Sequence, residues 1–118
     1  MPHTISAEMR RCIDECLRCA ATCTETSRHC LELGGKHAEP EHITTLEVCA
    51  DICLTSANSM LRGSRLYTET CRACAAVCRA CEEACRRMGD DPMMQQCADV
   101  CRSCAESCER MAGAGTGH

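Results

Sequence analysis

Cys71-Arg-Ala-Cys74-Ala-Ala-Val-Cys78-Arg-Ala-Cys81-Glu-Glu-Ala-Cys85 decides the fold of this chain. Its five cysteines recur at separations of 3, 4, 3 and 4 residues. At 3.6 residues per turn this spacing puts every thiol on one face of an α-helix, over about four turns. The stretch therefore predicts a helix whose heptad seam is written in sulfur and faces a packed interior.

The pattern extends in both directions. A first helix, about residues 5–33, carries the seam Ile5, Met9, Cys12, Cys16, Cys19, Cys23, Thr26, Cys30 and Leu33 and stops at Gly34-Gly35. A weaker stripe of Ile13, Leu17, Thr24 and Leu31 lies on its neighbouring face, suited to flanking the core or touching another subunit. A second helix, about 39–61, has Pro40 at its start and His42, Leu46, Cys49, Cys53, Ser56 and Met60 inward. The third, 65–88, holds the opening stretch between Tyr67 and Met88. Asp91-Pro92 is a start signal for the fourth, 92–111, whose seam is Met94, Cys97, Cys101, Cys104, Cys108 and Met111. Breaks of a few residues make sequential helices antiparallel neighbours. The expected fold is all-α, an antiparallel up-down-up-down four-helix bundle with a cysteine-lined core over residues 1–112. Residues 113–118, rich in glycine, read as a flexible tail.

Composition explains why sulfur must line the core. Tyr67 is the one aromatic residue, and Leu, Ile and Val together supply 14 of 118 residues, about 12%, below the roughly 20% under which a charged chain is usually disordered. Cysteine, a small hydrophobe when neutral, and alanine make up the missing apolar volume. All 16 cysteines fall on inward positions, five, two, five and four per helix.

The thiols have three readings: core filler, disulfide partners or metal ligands. Leu or Ala would fill a core without risk of oxidation. Disulfide scaffolds are loop-rich and exported, whereas this chain is helical and shows no export signal or apolar span long enough for a membrane. For metal ligation, charge selects the ion. Cu(I) replacing thiol protons one for one leaves the interior neutral, whereas Zn(II) on four thiolates leaves a net −2 at each site, which is costly in a dry interior. Cys-x-x-Cys occurs at 16/19, 71/74, 78/81 and 101/104, yet zinc and iron–sulfur sites wrap loops around the metal, and these pairs sit in helical register. A zinc-buffering or thiol-redox protein stays open as the alternative.

Four cysteine-lined helices with repeated CxxC and CxxxC and no aromatic core resemble the bacterial copper storage proteins over about residues 5–111. The resemblance implies a non-enzymatic bundle holding many Cu(I) ions on thiolates, assembled as a homotetramer. The implied ligands are Cys12, Cys16, Cys19, Cys23, Cys30, Cys49, Cys53, Cys71, Cys74, Cys78, Cys81, Cys85, Cys97, Cys101, Cys104 and Cys108. Without an export signal the chain is similar to the cytosolic class, so a cytoplasmic place is expected. Thr26 and Ser56 stand on the seam where further thiols would fit, which implies a lower capacity than in richer members.

Met9, Met60 and Met111 fall near one end of the bundle, and Met88, Met94, His42 and His29 near the other. Met9, Met60, Met111 and His42 are candidate accessory ligands, set against a plain core-filling role. His37 and His118 read as solvated. The chain carries 17 acids against 13 bases, and its arginines alternate with acids without forming a basic block, so no nucleic-acid footprint is present. No motif identifies a copper donor or acceptor protein, and no catalytic constellation is visible.

Overall fold

The computed structural model describes residues 5–116, with side chains through Gly113; His118 lies outside the described residues. Four helices follow one another: α1 (Ala7–Leu33), α2 (Pro40–Leu61), α3 (Tyr67–Arg86) and α4 (Pro92–Thr116). A 3-10 turn, Gly35–Ala38, links α1 to α2. They form an antiparallel up-down-up-down bundle with extents of 52 × 22 × 20 Å, and the described residues contain no strand. Each helix packs on its sequence neighbours and α1 packs on α4, closing a square, while the backbones of the diagonal pairs stay apart and only side chains meet across the middle. Among the described residues, no helix is long and apolar enough to cross a membrane.

Local chemistry sets the helix ends. Ser6 caps α1 by accepting the Met9 N–H at 3.1 Å. Gly34, at φ 72°, ends α1 by donating its N–H to the Cys30 carbonyl. Pro40 and Pro92 occupy first-turn positions, where a missing N–H costs nothing. The third helix begins at Tyr67 because Ser64 Oγ accepts the Leu66 N–H at 3.1 Å, holding that residue in a turn. At the other terminus, α4 continues past residue 112 to Thr116 through Gly113 and Gly115, each of which weakens a helix by only about 1 kcal/mol relative to alanine.

Small residues set how closely the helices approach. Ala20, Ala50, Ala57, Ala75, Ala98 and Ala105 are all buried, each directly after a seam residue. Polar ties run between helices at the rim, with Ser103 Oγ donating to Glu15 Oε2 at 2.8 Å and Arg79 gripping Glu109 through two contacts of 3.1 and 2.9 Å. The neighbouring stripe of α1 divides. Ile13 is fully buried, whereas Leu17 and Leu31 are 41% and 55% exposed. Leu33, placed on the seam by periodicity, is also exposed, at the last position of α1.

Ile13→Ala is expected to cost about 2–5 kcal/mol of stability, and Leu33→Ala, at an exposed position, no more than about 0.5 kcal/mol. Urea unfolding of the reduced, metal-free protein followed by circular dichroism separates the two; equal effects would contradict this core.

Candidate metal centre

All 16 cysteines are free and fully buried, and they form one column along the axis of the bundle. Sulfurs within 4.8 Å of one another make five successive clusters: Cys12/Cys71/Cys108, Cys16/Cys74/Cys104/Cys108, Cys19/Cys53/Cys78/Cys104, Cys19/Cys23/Cys49/Cys101 and Cys23/Cys81/Cys97/Cys101. Each cluster shares at least one sulfur with the next, so the donors form an unbroken ladder. Cross-helix contacts run from 3.6 Å, for Cys16–Cys108 and Cys53–Cys74, to 4.0 Å, for Cys23–Cys81.

These distances discriminate between chemistries. A disulfide bond needs about 2.05 Å between sulfurs. Thiolates held about 2.3 Å from a shared metal stand roughly 3.8 Å apart in a tetrahedral site and roughly 4.0 Å apart in a trigonal one. The column therefore has ligand spacing before any ion arrives. Among the described residues its interior contains no buried Lys, Arg, Asp or Glu, and the buried polar side chains are Thr26, Ser27, His42, Ser56 and Ser107. No fixed positive charge is present inside to balance an anionic metal site.

The ends of the column differ from its middle. Cys30 and Cys85 belong to none of the five clusters. Cys30 Sγ donates to Met94 Sδ at 3.9 Å, and at the opposite end Cys71 Sγ donates to Met60 Sδ at 3.9 Å. Ser56 Oγ lies 3.3 Å from Cys71 Sγ, so this hydroxyl extends the terminal cluster. Thr26, buried between Cys23 and Cys30 on the seam, leaves its Oγ1 without a partner and interrupts the run of sulfur.

Met111 is buried, and Met9 packs half-buried against the core. His42 is buried with Nε2 unpartnered, and burial, aided by His37, lowers its pKa, keeping the imidazole neutral with a lone pair to offer. The solvated reading of His37 is corrected: it is half-buried and its Nε2 lies 3.0 Å from Asp91 Oδ2, because the 3-10 turn folds it back onto the α3–α4 connection. His29 reaches the same oxygen at 2.9 Å. Neither Met94 beside Cys30 nor this histidine pair is an accessory ligand by spacing alone. The seam position of Met94, level with Cys30 in an antiparallel bundle, is the signal that could have found it.

Electrostatics follow from packing. Burial, with the Asp91 carboxylate adding to it, pushes the Cys30 thiol up to about 11. At Cys71 a hydrogen bond from Cys108 opposes Cys12 and burial, and the balance is again about 11. Within a cluster one sulfur can be favoured as thiolate by its neighbours' S–H groups. Cys16 is lowered to about 6, chiefly by Cys104, while Cys104 itself is pushed up, chiefly by Cys108.

The family model for the copper storage protein matches residues 5–113. The chain is similar to the protein Nmul_A1745 of Nitrosospira multiformis, at 42% identity over 91% of this chain and 96% of that one, with a TM-score of 0.86. It is similar to the Cu(I)-bound copper storage protein BsCsp3, at 34% identity over 89% and 98% of the two chains, with a TM-score of 0.83. A cytosolic copper storage protein of Streptomyces lividans, solved with five coppers, is 35% identical over 90% and 92%, with a TM-score of 0.78. The curated proteins contain no match.

A pKa raised in the folded state stabilises the fold fully below the unfolded value and is lost as pH rises through the folded one. For Cys30 and Cys71 that window runs from 9.0 to about 11. From the Cys30 and Cys71 thiols, the reduced, metal-free protein should lose melting temperature steadily as pH rises from about 9 towards 11. Thermal melts across that range test this, and an unchanged melting temperature at pH 11 would refute it.

Proposed function

The chain belongs to the copper storage protein family, and we propose that all 16 of its cysteines serve as thiolate ligands to Cu(I), carried as cargo along the axis of the bundle. The observation that carries this reading is the ladder of shared, fully buried sulfurs in an interior without fixed charge. Each Cu(I) takes the place of thiol protons, which leave for solvent, so a column filled one for one stays neutral. Because Cu(I) accepts two or three thiolates without a demanding geometry, pairs along one helix and pairs across the bundle both serve.

Thioethers lie at both ends of the column, Met60 at Cys71 of the terminal cluster and Met94 at Cys30 beyond the last cluster, and as neutral soft donors they suit an ion in transit. Met9, Met111 and the neutral His42 are accessory donors at those ends. The protein holds its metal and transforms nothing. It works in the cytoplasm, as does the relative described as cytosolic. Identical chains assemble, by similarity, as a homotetramer. Exposed Leu17, Leu31, Leu54 and Leu61, spaced in steps of fourteen and seven along α1 and α2, support self-association.

Titration of reduced protein with Cu(I) against a competing chelator should reach saturation far above two ions per chain, with helical content unchanged. Saturation at one or two ions, or Zn(II) displacing bound Cu(I), would sink the storage reading. Replacing Cys23 and Cys101 by serine should remove several ions, because both residues belong to the same two adjacent clusters. Sedimentation of wild type and a Leu17→Glu/Leu31→Glu variant tests assembly, with the variant expected to be smaller.

A further inference from the structure

Two buried hydroxyls replace thiols on the seams, and they are placed differently. Thr26, on α1, is 1% exposed and its Oγ1 has no partner. Ser56, on α2, is fully buried, and its Oγ lies 3.3 Å from Cys71 Sγ. Cys71 belongs to the terminal cluster with Cys12 and Cys108, which holds three sulfurs where each of the other four clusters holds four. The Cys71 proton is already engaged, because Sγ donates it to Met60 Sδ at 3.9 Å. A chain of two hydrogen bonds results, in which the Ser56 hydroxyl donates to Cys71 Sγ and the Cys71 thiol donates to Met60. Cys71 and Met60 are as fully buried as Ser56, so bulk water does not compete for these contacts.

We infer that Ser56 is a positioning residue of the terminal cluster, whose hydroxyl donates to the Cys71 thiolate while that sulfur holds Cu(I). The inference rests on the storage reading, since it takes Cys71 as a ligand. On loading, the Cys71 thiol releases its proton to solvent and the sulfur bonds Cu(I) in its place, with no change of oxidation state. Met60 loses the hydrogen bond it accepted, but the bond from Ser56 survives and strengthens. Hydrogen bonds to an ionised acceptor are roughly twice as strong as neutral ones. Three thiolates around one Cu(I) leave negative charge over, and the interior offers no buried Lys or Arg to offset it. The O–H dipole of Ser56 supplies that stabilisation in a setting of low dielectric, where it counts for most. Its oxygen, a hard donor, is poorly matched to Cu(I), which stays with sulfur. A thiol at position 56 would add a further ionisable ligand to the group, whereas the hydroxyl adds a proton donor. Thr26, whose hydroxyl touches no sulfur, has no such part.

The test loads the reduced full chain with Cu(I), equilibrates it with increasing concentrations of a Cu(I) chelator, and counts the copper left on each chain. Ser56→Ala should keep its helical content and hold one ion per chain about tenfold more weakly than wild type. Thr26→Val removes a buried hydroxyl that touches no sulfur, and it should follow the wild-type curve. In a Cys71→Ala background, Ser56→Ala should bring no further loss, because the hydroxyl acts through that sulfur. The inference is overturned if S56A retains copper as wild type does, if T26V loses an ion as readily as S56A, or if S56A costs as much without Cys71 as with it. Wild-type protein that takes up no Cu(I) would sink the storage reading and this inference together. Equal retention by wild type and S56A leaves storage standing and removes this inference alone.

Discussion

A thiol must be neutral to be packed and ionised to hold a metal, and this molecule is arranged around that double requirement. With one aromatic residue and few branched aliphatics, the metal-free chain depends on S–H groups for its interior. Those same groups stand 3.6 to 4.0 Å apart on facing helices, so no large rearrangement separates core from ligand shell. A core of leucine would be more robust and would bind nothing. One cysteine per site, placed in loops, would bind metal and leave nothing to fold around.

Sulfur spacing depends on the residues beside the thiols. Buried alanines directly after seam positions on all four helices let the backbones draw together, and the width of the column follows from that closeness. Larger flanking side chains would push the sulfurs beyond the reach of a shared ion while leaving every cysteine in place. Charge is kept to the rim, where arginines pair with Glu69, Glu82, Asp99 and Glu109. The interior is thus left to groups whose charge can be changed by exchange of a proton for a monovalent ion.

Much of the bundle was legible because cysteine marks the inward face without ambiguity and Ser6, Pro40, Asp91 and Pro92 mark helix starts. Properties that depend on how one helix is staggered against another were not. Periodicity treats Cys30 and Cys85 like every other seam cysteine, yet they fall outside the sulfur clusters, since grouping is decided by axial level across four helices. Ile13 and Leu31 share the stripe beside the α1 seam, which periodicity suits equally to flanking the core or touching another subunit, yet Ile13 is core and Leu31 is exposed. The 3-10 turn carrying His37 is a four-residue device with no periodic signature, so its contact with Asp91 could not be read in advance.

Cys108, Cys104, Cys19, Cys23 and Cys101 each belong to two clusters at once. The five clusters are consequently not five vessels that fill independently, because an ion seated in one withdraws a donor from its neighbour. Partial occupancy along such a column resembles the placing of tiles on a strip, where each tile constrains the next. If these sulfurs are the ligands proposed above, the protein at intermediate loading is a mixture of isomers of one composition, better described by an average affinity than by a ranked set of sites.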